Sequence, residues 1–269
     1  MGSSVVALGP GLGIALAALL ALGVLVGRVS GLGQQRPVLW ACLRAAVQLA
    51  AVSSVIVAVV GSLWASAAFA VLMLVVAAAT SAGRVTGGAT WGRGAPRRAL
   101  LMAAPIAAGV LPVLGLVLAS GSVPLRGEAV VPIAGIVIGG AMSATSLAGR
   151  RVLDELEQRH GEVEAALALG FLPRDAAVLV AQPVAATALV PALDQTRTVG
   201  LVTLPGAYVG VLLGGGSALQ AGAAQLLVLV GLLAAEVIAV WVTTELITRG
   251  TVVRAEPTTA RRARSSSTT

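Results

Sequence analysis

The sequence predicts an all-α fold: a polytopic bundle of about seven transmembrane helices, with the N-terminus outside and the C-terminus cytoplasmic. Three observations carry this. Of 269 residues 57% are hydrophobic and only 11% charged, with a mean hydropathy of +0.96, where a soluble domain carries about a quarter charged residues. The apolar residues fall in unbroken runs of transmembrane length, without alternation or heptads. Finally, the basic residues, all of them arginine, sit between the runs in a strongly one-sided pattern.

The runs place spans near Val5–Gly27, Val38–Val60, Leu63–Ser81, Ala99–Ala119, Ala129–Gly149, Thr187–Leu213 and Ala223–Ile247. The first lacks a basic leader and a cleavage site, so it reads as a retained helix. Glycine and proline inside these runs are compatible with membrane helices. Arg28 and Arg36 follow span one, and Arg84, Arg93, Arg97 and Arg98 follow span three. Arg150, Arg151, Arg159 and Arg174 follow span five, and Arg249, Arg254, Arg261, Arg262 and Arg264 follow span seven; the opposite loops hold only Arg126. The positive-inside rule then sets the orientation and a multi-pass location in the inner (plasma) membrane. Residues 1–250 form the membrane domain, with a cytoplasmic segment at 150–182. Residues 251–269 read as a disordered cytoplasmic tail near anionic lipid.

The net charge of +7 is explained by this topology and not by nucleic-acid binding, which needs a basic face with stacking aromatics. The lone Cys42 forms no internal disulfide. One histidine and one cysteine provide no recognisable metal-ligand spacing, so any metal site is unknown from sequence. A P-loop requires a lysine and the chain has none, so the chain is not an ATPase and no cofactor is expected.

The segment 150–182 is the richest in signals. A mixed-charge helix runs Arg151 to His160, and Gly161 interrupts it. Glu162-Val-Glu164-Ala165-Ala166-Leu-Ala-Leu-Gly170 follows, then a turn at Phe171-Leu172, and Pro173-Arg174-Asp175 opens the next helix. Gly170 supplies a stop and Pro173 a first-turn proline. Intramembrane polar residues are the other candidates. Arg44 and Gln48 share a face of span two. Ser143 and Ser146 lie in span five. Asp194, Gln195, Thr196 and Arg197 lie in the inner part of span six, ahead of a bend at Pro205-Gly206. Glu236 lies near the middle of span seven. A lined pathway and a structural ion pair are both compatible with this set.

The spacing of Glu164-Ala165-Ala166, Gly170, Val180 and Pro183 resembles the EAA signature of ABC-transporter permeases. Leu43-Arg44-Ala-Ala-Val-Gln48-Leu, Gly139-Gly-Ala-Met142-Ser-Ala-Thr-Ser146-Leu and Val190-Pro-Ala-Leu-Asp194 through Gly206 are similar to segments of one such family. That is the bacterial iron-export permease family, which includes the plant aluminium-sensitivity permeases. One departure is Gly140, where many members carry Asn. The resemblance implies a cytosolic ATPase partner contacting Glu162, Glu164, Ala165, Ala166, Gly170 and Arg174. It also implies a homodimer of permease subunits in the lipid bilayer, and metal export. Other substrates, such as a nucleotide sugar, and a proton-coupled carrier in which Glu236 titrates, are the alternative readings.

Overall fold

The computed structural model describes residues 9–88 and 94–254, and the contacts divide the chain into two compact units between Val59 and Val60. Among the described residues the structure is helical, with a single isolated bridge between Val199 and Thr203. Ten α-helices follow one another: α1 (Pro10–Val29), α2 (Gln35–Val60), α3 (Leu63–Thr86), α4 (Ala95–Ala119), α5 (Gly127–Gln158), α6 (His160–Ala168), α7 (Pro173–Ala186), α8 (Val190–Thr198), α9 (Gly206–Leu213) and α10 (Ala218–Thr248). A 3-10 turn, Thr187–Leu189, joins α7 to α8. Seven stretches are long and apolar enough to cross a bilayer: α1, α2, α3, α4, α5, Pro173–Thr198, and α10. The expected residues 5–8 of span one, Arg93, and the tail from 255 onward lie outside the described residues.

The first unit consists of α1 and α2, whose side chains are nearly all exposed, as hydrocarbon-facing helices require. In the second unit α3, α4, α5 and α10 pack together around two buried clusters. One joins Ala77, Ile106, Val110, Ala134, Val137, Ala141, Ala235 and Ala239; the other joins Val85, Met102, Ala148, Val152, Ala181, Ala185, Val240 and Ile247. Alanine dominates because membrane helices gain by close backbone approach rather than by expelling water. Gly109 shows the limit: a Cβ there would overlap the Ala235 carbonyl oxygen of α10. Gly109→Ala therefore forces α4 and α10 apart. Overpacking costs about 1–3 kcal/mol, so the variant should unfold at lower temperature in detergent than the parent; an unchanged midpoint would contradict this packing.

Two helices are longer than the membrane. At 1.5 Å per residue, α5 with 32 residues and α10 with 31 are each about 45–50 Å long, against a hydrocarbon core of about 30 Å. The mixed-charge stretch from Arg151 is thus a continuation of span five. The interruption expected at Gly161 occurs instead at Arg159, which leaves helical geometry at φ −106°, ψ 28°, while Gly161 stays inside α6. Arg159 is held there by bonds to carboxylates on both sides, which a glycine count does not reveal.

The sixth passage differs most from expectation. Thr187–Leu213 is not one helix. The helical run starts at Pro173, shifts to 3-10 geometry at Thr187, resumes at Val190 with Pro191 in its first turn, and ends at Thr198. Residues 199–205 are non-helical: Gly200 adopts φ +83° and its N–H bonds the Thr203 carbonyl. Pro205 then caps α9. The last ten residues of the segment 150–182 accordingly belong to an apolar, span-length run, and Asp194–Arg197 occupy the final turns of α8. The bend expected at Pro205-Gly206 is a complete break.

The tail begins in a fixed position. The N–H groups of Thr251 and Val252 bond the Leu246 carbonyl, Val252 is buried in the second cluster, and Arg254 reaches Asp154 and Glu157 on α5.

Candidate functional site

Two regions collect the functional candidates. The first is the end of the bundle where α5 overshoots. Arg159 bonds Glu162 through two nitrogens, one pair at 2.6 Å, and Glu155 at 3.3 Å. Its hydrogen bond holds the Glu162 carboxyl below its ordinary value of 4.5, and Glu162, then Glu155, hold the guanidinium above its usual range. Glu164 is exposed and meets His160 at 3.1 Å. Ala165 is exposed, and Ala166 is the buried residue of α6.

The C-terminus of α6 is closed by a Schellman motif. The Phe171 N–H bonds the Ala166 carbonyl at 3.1 Å, and the Gly170 N–H bonds the Leu167 carbonyl at 2.9 Å. Gly170 sits at φ +93°, a conformation that costs any side chain. The glycine stop read in the sequence is therefore a specific geometric device. It turns the chain so that Leu167, Leu169, Phe171 and Leu172 are all exposed, Leu169 at 80%. These apolar side chains stand beside the charged groups of the α5 and α6 ends. Single-residue reading of the sequence did not reveal this patch, because leucines in a hydrophobic chain carry no signal of their own.

Arg174 lies in the first turn of α7. Its guanidinium grips both oxygens of Glu245, at 2.8 and 2.7 Å, and also touches Asp175 at 2.9 Å; Arg249 adds a 2.6 Å bond to the same Glu245. The bidentate fork joins the first turn of α7 to the last turns of α10. Glu245 was not among the sequence candidates: it lies 71 residues from Arg174, and only the fold brings them together.

The second region comprises the polar groups within the spans. Arg44 and Gln48 are exposed on α2, in the first unit. Ser143 is exposed and bonds its own helix at Gly139; Ser146 is buried and meets Ser81 of α3 at 3.0 Å, tying α3 to α5. Asp194 and Arg197 approach to 3.5 Å, both more than half exposed. Gln195 is exposed, and Thr196 bonds the Ala192 carbonyl. Glu236 is the outlier: 7% exposed, and without a hydrogen-bond or ion-pair partner among the described residues. It faces Gly140, where an added Cβ would lie 2.6 Å from its Oε1. The position singled out as a family departure is thus the one packed against the buried acid. Among the described residues no group of three or more His, Cys, Asp or Glu could hold a metal ion.

Sequence comparison places these features in a family. The model of the uncharacterised protein family UPF0014 matches residues 12–252. The UPF0014 membrane protein STAR2 of Oryza sativa subsp. japonica is 31% identical over 80% of this chain and 74% of its own length. Protein ALUMINUM SENSITIVE 3 of Arabidopsis thaliana is 38% identical over 39% of each chain. The "Probable iron export permease protein FetB" of Escherichia coli (strain K12) is 36% identical over 38% of this chain and 39% of its own. No solved structure matches. With a family model covering nearly the whole described chain and seven span-length helical stretches beneath it, this protein is a multi-pass member of the UPF0014 membrane permease family, related to the plant aluminium proteins and to the bacterial iron-export permease.

Proposed function

We propose that the chain is the membrane-spanning subunit of an ABC exporter of metal, iron being the cargo named for its bacterial relative, and that a separate cytosolic ATPase powers it. One observation carries this reading: the α6 unit, closed by Gly170, which presents Leu167, Leu169, Phe171 and Leu172 with Glu164 beyond the bundle. A coupling element needs an exposed apolar face for its partner and a stiff link to a moving span. The turn at Phe171-Leu172 gives that link, because α7 starts at Pro173 and runs on into the sixth passage. Two copies pairing in the inner membrane would place the Asp194–Arg197 turn, with Gln195, Thr196 and Ser143, along a central route.

In this orientation the α6 end is cytoplasmic and the N-terminus outside. Single cysteines in a Cys42→Ser background test it. Glu157→Cys should resist an impermeant maleimide in intact cells, and Ser122→Cys should label; the reverse pattern contradicts the orientation. The chain should also co-purify with an ATPase encoded beside it, and purification without any ATPase under gentle solubilisation would contradict the partner assignment.

A further inference from the structure

The break between α8 and α9 sets a physical problem that the coupling reading leaves unsolved. α9 runs back along the start of α10, where the Tyr208 N–H donates to Gln225 Oε1 at 3.2 Å. Pro205, just ahead of Tyr208, is therefore about level with Val228, which lies about 15 Å along α10 from Ala218. Residues 226–230 are all apolar, so residues 199–205 lie at hydrocarbon depth. Lipid offers peptide groups no hydrogen bonds, and irregular backbone at that depth is either buried in protein or lines water. Inside the break the Gly200 N–H bonds the Thr203 carbonyl, and the Leu201 and Val202 N–H groups both bond the Thr198 carbonyl. Among the described residues the carbonyls of Gly200, Leu201 and Val202 accept no bond. The N–H groups of Leu204, Gly206 and Ala207 donate none.

The side chains of the same stretch are apolar and open: Leu201 is 92% exposed, Val202 76%, and Leu204 is exposed as well. Water suits the peptide groups but not these side chains, and lipid suits the side chains but not the peptide groups. A protein surface offering apolar contact and hydrogen bonds suits both, and the break is itself such a surface, with free donors and free acceptors. The charges beside it are self-complementary too. Asp194 and Arg197, both more than half exposed on α8, share a single contact at 3.5 Å, which leaves most of the guanidinium donors free. A two-fold contact sets one patch against its own copy. We infer that residues 194–205 form the seam on which a second copy of this chain docks. Asp194 of one copy meets Arg197 of the other, and the open peptide groups of the two breaks face each other. The central route is then closed where the two α8 turns meet, and opens as they part. The seam presupposes the pairing of two copies proposed above and gives it a surface.

Light scattering of the purified permease in detergent tests the pairing, and crosslinking tests the surface. In a Cys42→Ser background, a short bis-maleimide should join Leu201→Cys copies into dimers and should leave Leu116→Cys, exposed on α4, unjoined. Charge reversal tests the ion pairs without touching the break. Asp194→Arg copies alone, or Arg197→Asp copies alone, set like charges across the two-fold and should lose most of the dimer. Co-expressed under two tags, the two variants should co-purify as mixed dimers, although each still carries like charges within itself. A monomeric parent overturns the pairing and the seam together. A dimeric parent overturns the seam alone if Leu201→Cys stays unjoined, or if the reversed copies dimerise no better mixed than apart. Labelling of Leu201→Cys by an impermeant maleimide in the dimer does the same, because it shows water where the second copy should be.

Discussion

Gly170→Asp and Leu169→Asp should each abolish assembly with the ATPase while leaving the permease inserted in the membrane at normal abundance. The reason differs between the two. Gly170 is at φ +93°, so any side chain there strains the Schellman turn by roughly 1 kcal/mol and swings Phe171 and Leu172 away from their outward positions. Leu169 is 80% exposed and strains nothing when replaced; aspartate there instead brings an unpaired charge to a desolvated interface. Gly170→Ala, smaller but equally strained, should show a partial loss. Pull-down of the ATPase with each variant, beside a membrane-fraction blot, gives the answer. Normal pull-down by both aspartate variants would reduce α6 to a connector.

Breaking the clamp at the other side of the same turn should have a comparable effect on transport with a different signature. Arg174→Ala leaves Glu245 with Arg249 alone and frees the first turn of α7 from α10. Assembly with the ATPase should persist, because α6 is untouched, but the movement of α6 should no longer reach the bundle. Metal export should fall to the level of the empty membrane. The charge exchange Arg174→Glu with Glu245→Arg should recover a measurable part of it, since the cycle restores the pair. Failure of the exchange together with lost assembly would mean that Arg174 contacts the ATPase directly, as its sequence position alone suggests.

Much of this fold is readable without coordinates, for a physical reason. Spans such as α3 and α4 are long apolar runs ended by glycine or arginine, and a bilayer accepts little else. The turn at Gly170 is readable because only glycine adopts its geometry freely. The sixth passage is not readable in the same way. Arg174 and Asp175 open it with charges that look cytoplasmic, and Arg174 is paired both with Asp175 and with Glu245, 71 residues away. The same distance hides the clamp itself. Pro191 and Gly200 give no sign by themselves of whether they bend a helix or end it; here Pro191 restarts one and Gly200 lies in a full break. Of the pathway candidates, Ser146 is an inter-helix tie and Asp194–Arg197 an exposed pair, whereas Glu236 stands out only once its burial and its neighbour Gly140 are both known.

The central claim is that ATP hydrolysis in a separate chain moves metal through this one. Its most direct test is efflux from proteoliposomes containing both proteins, loaded with ferrous iron and given ATP on the side facing α6. ATP-dependent iron movement that disappears with Gly170→Asp, and with the permease omitted, is the expected result. Iron movement at the same rate without ATP or without the ATPase would contradict the account.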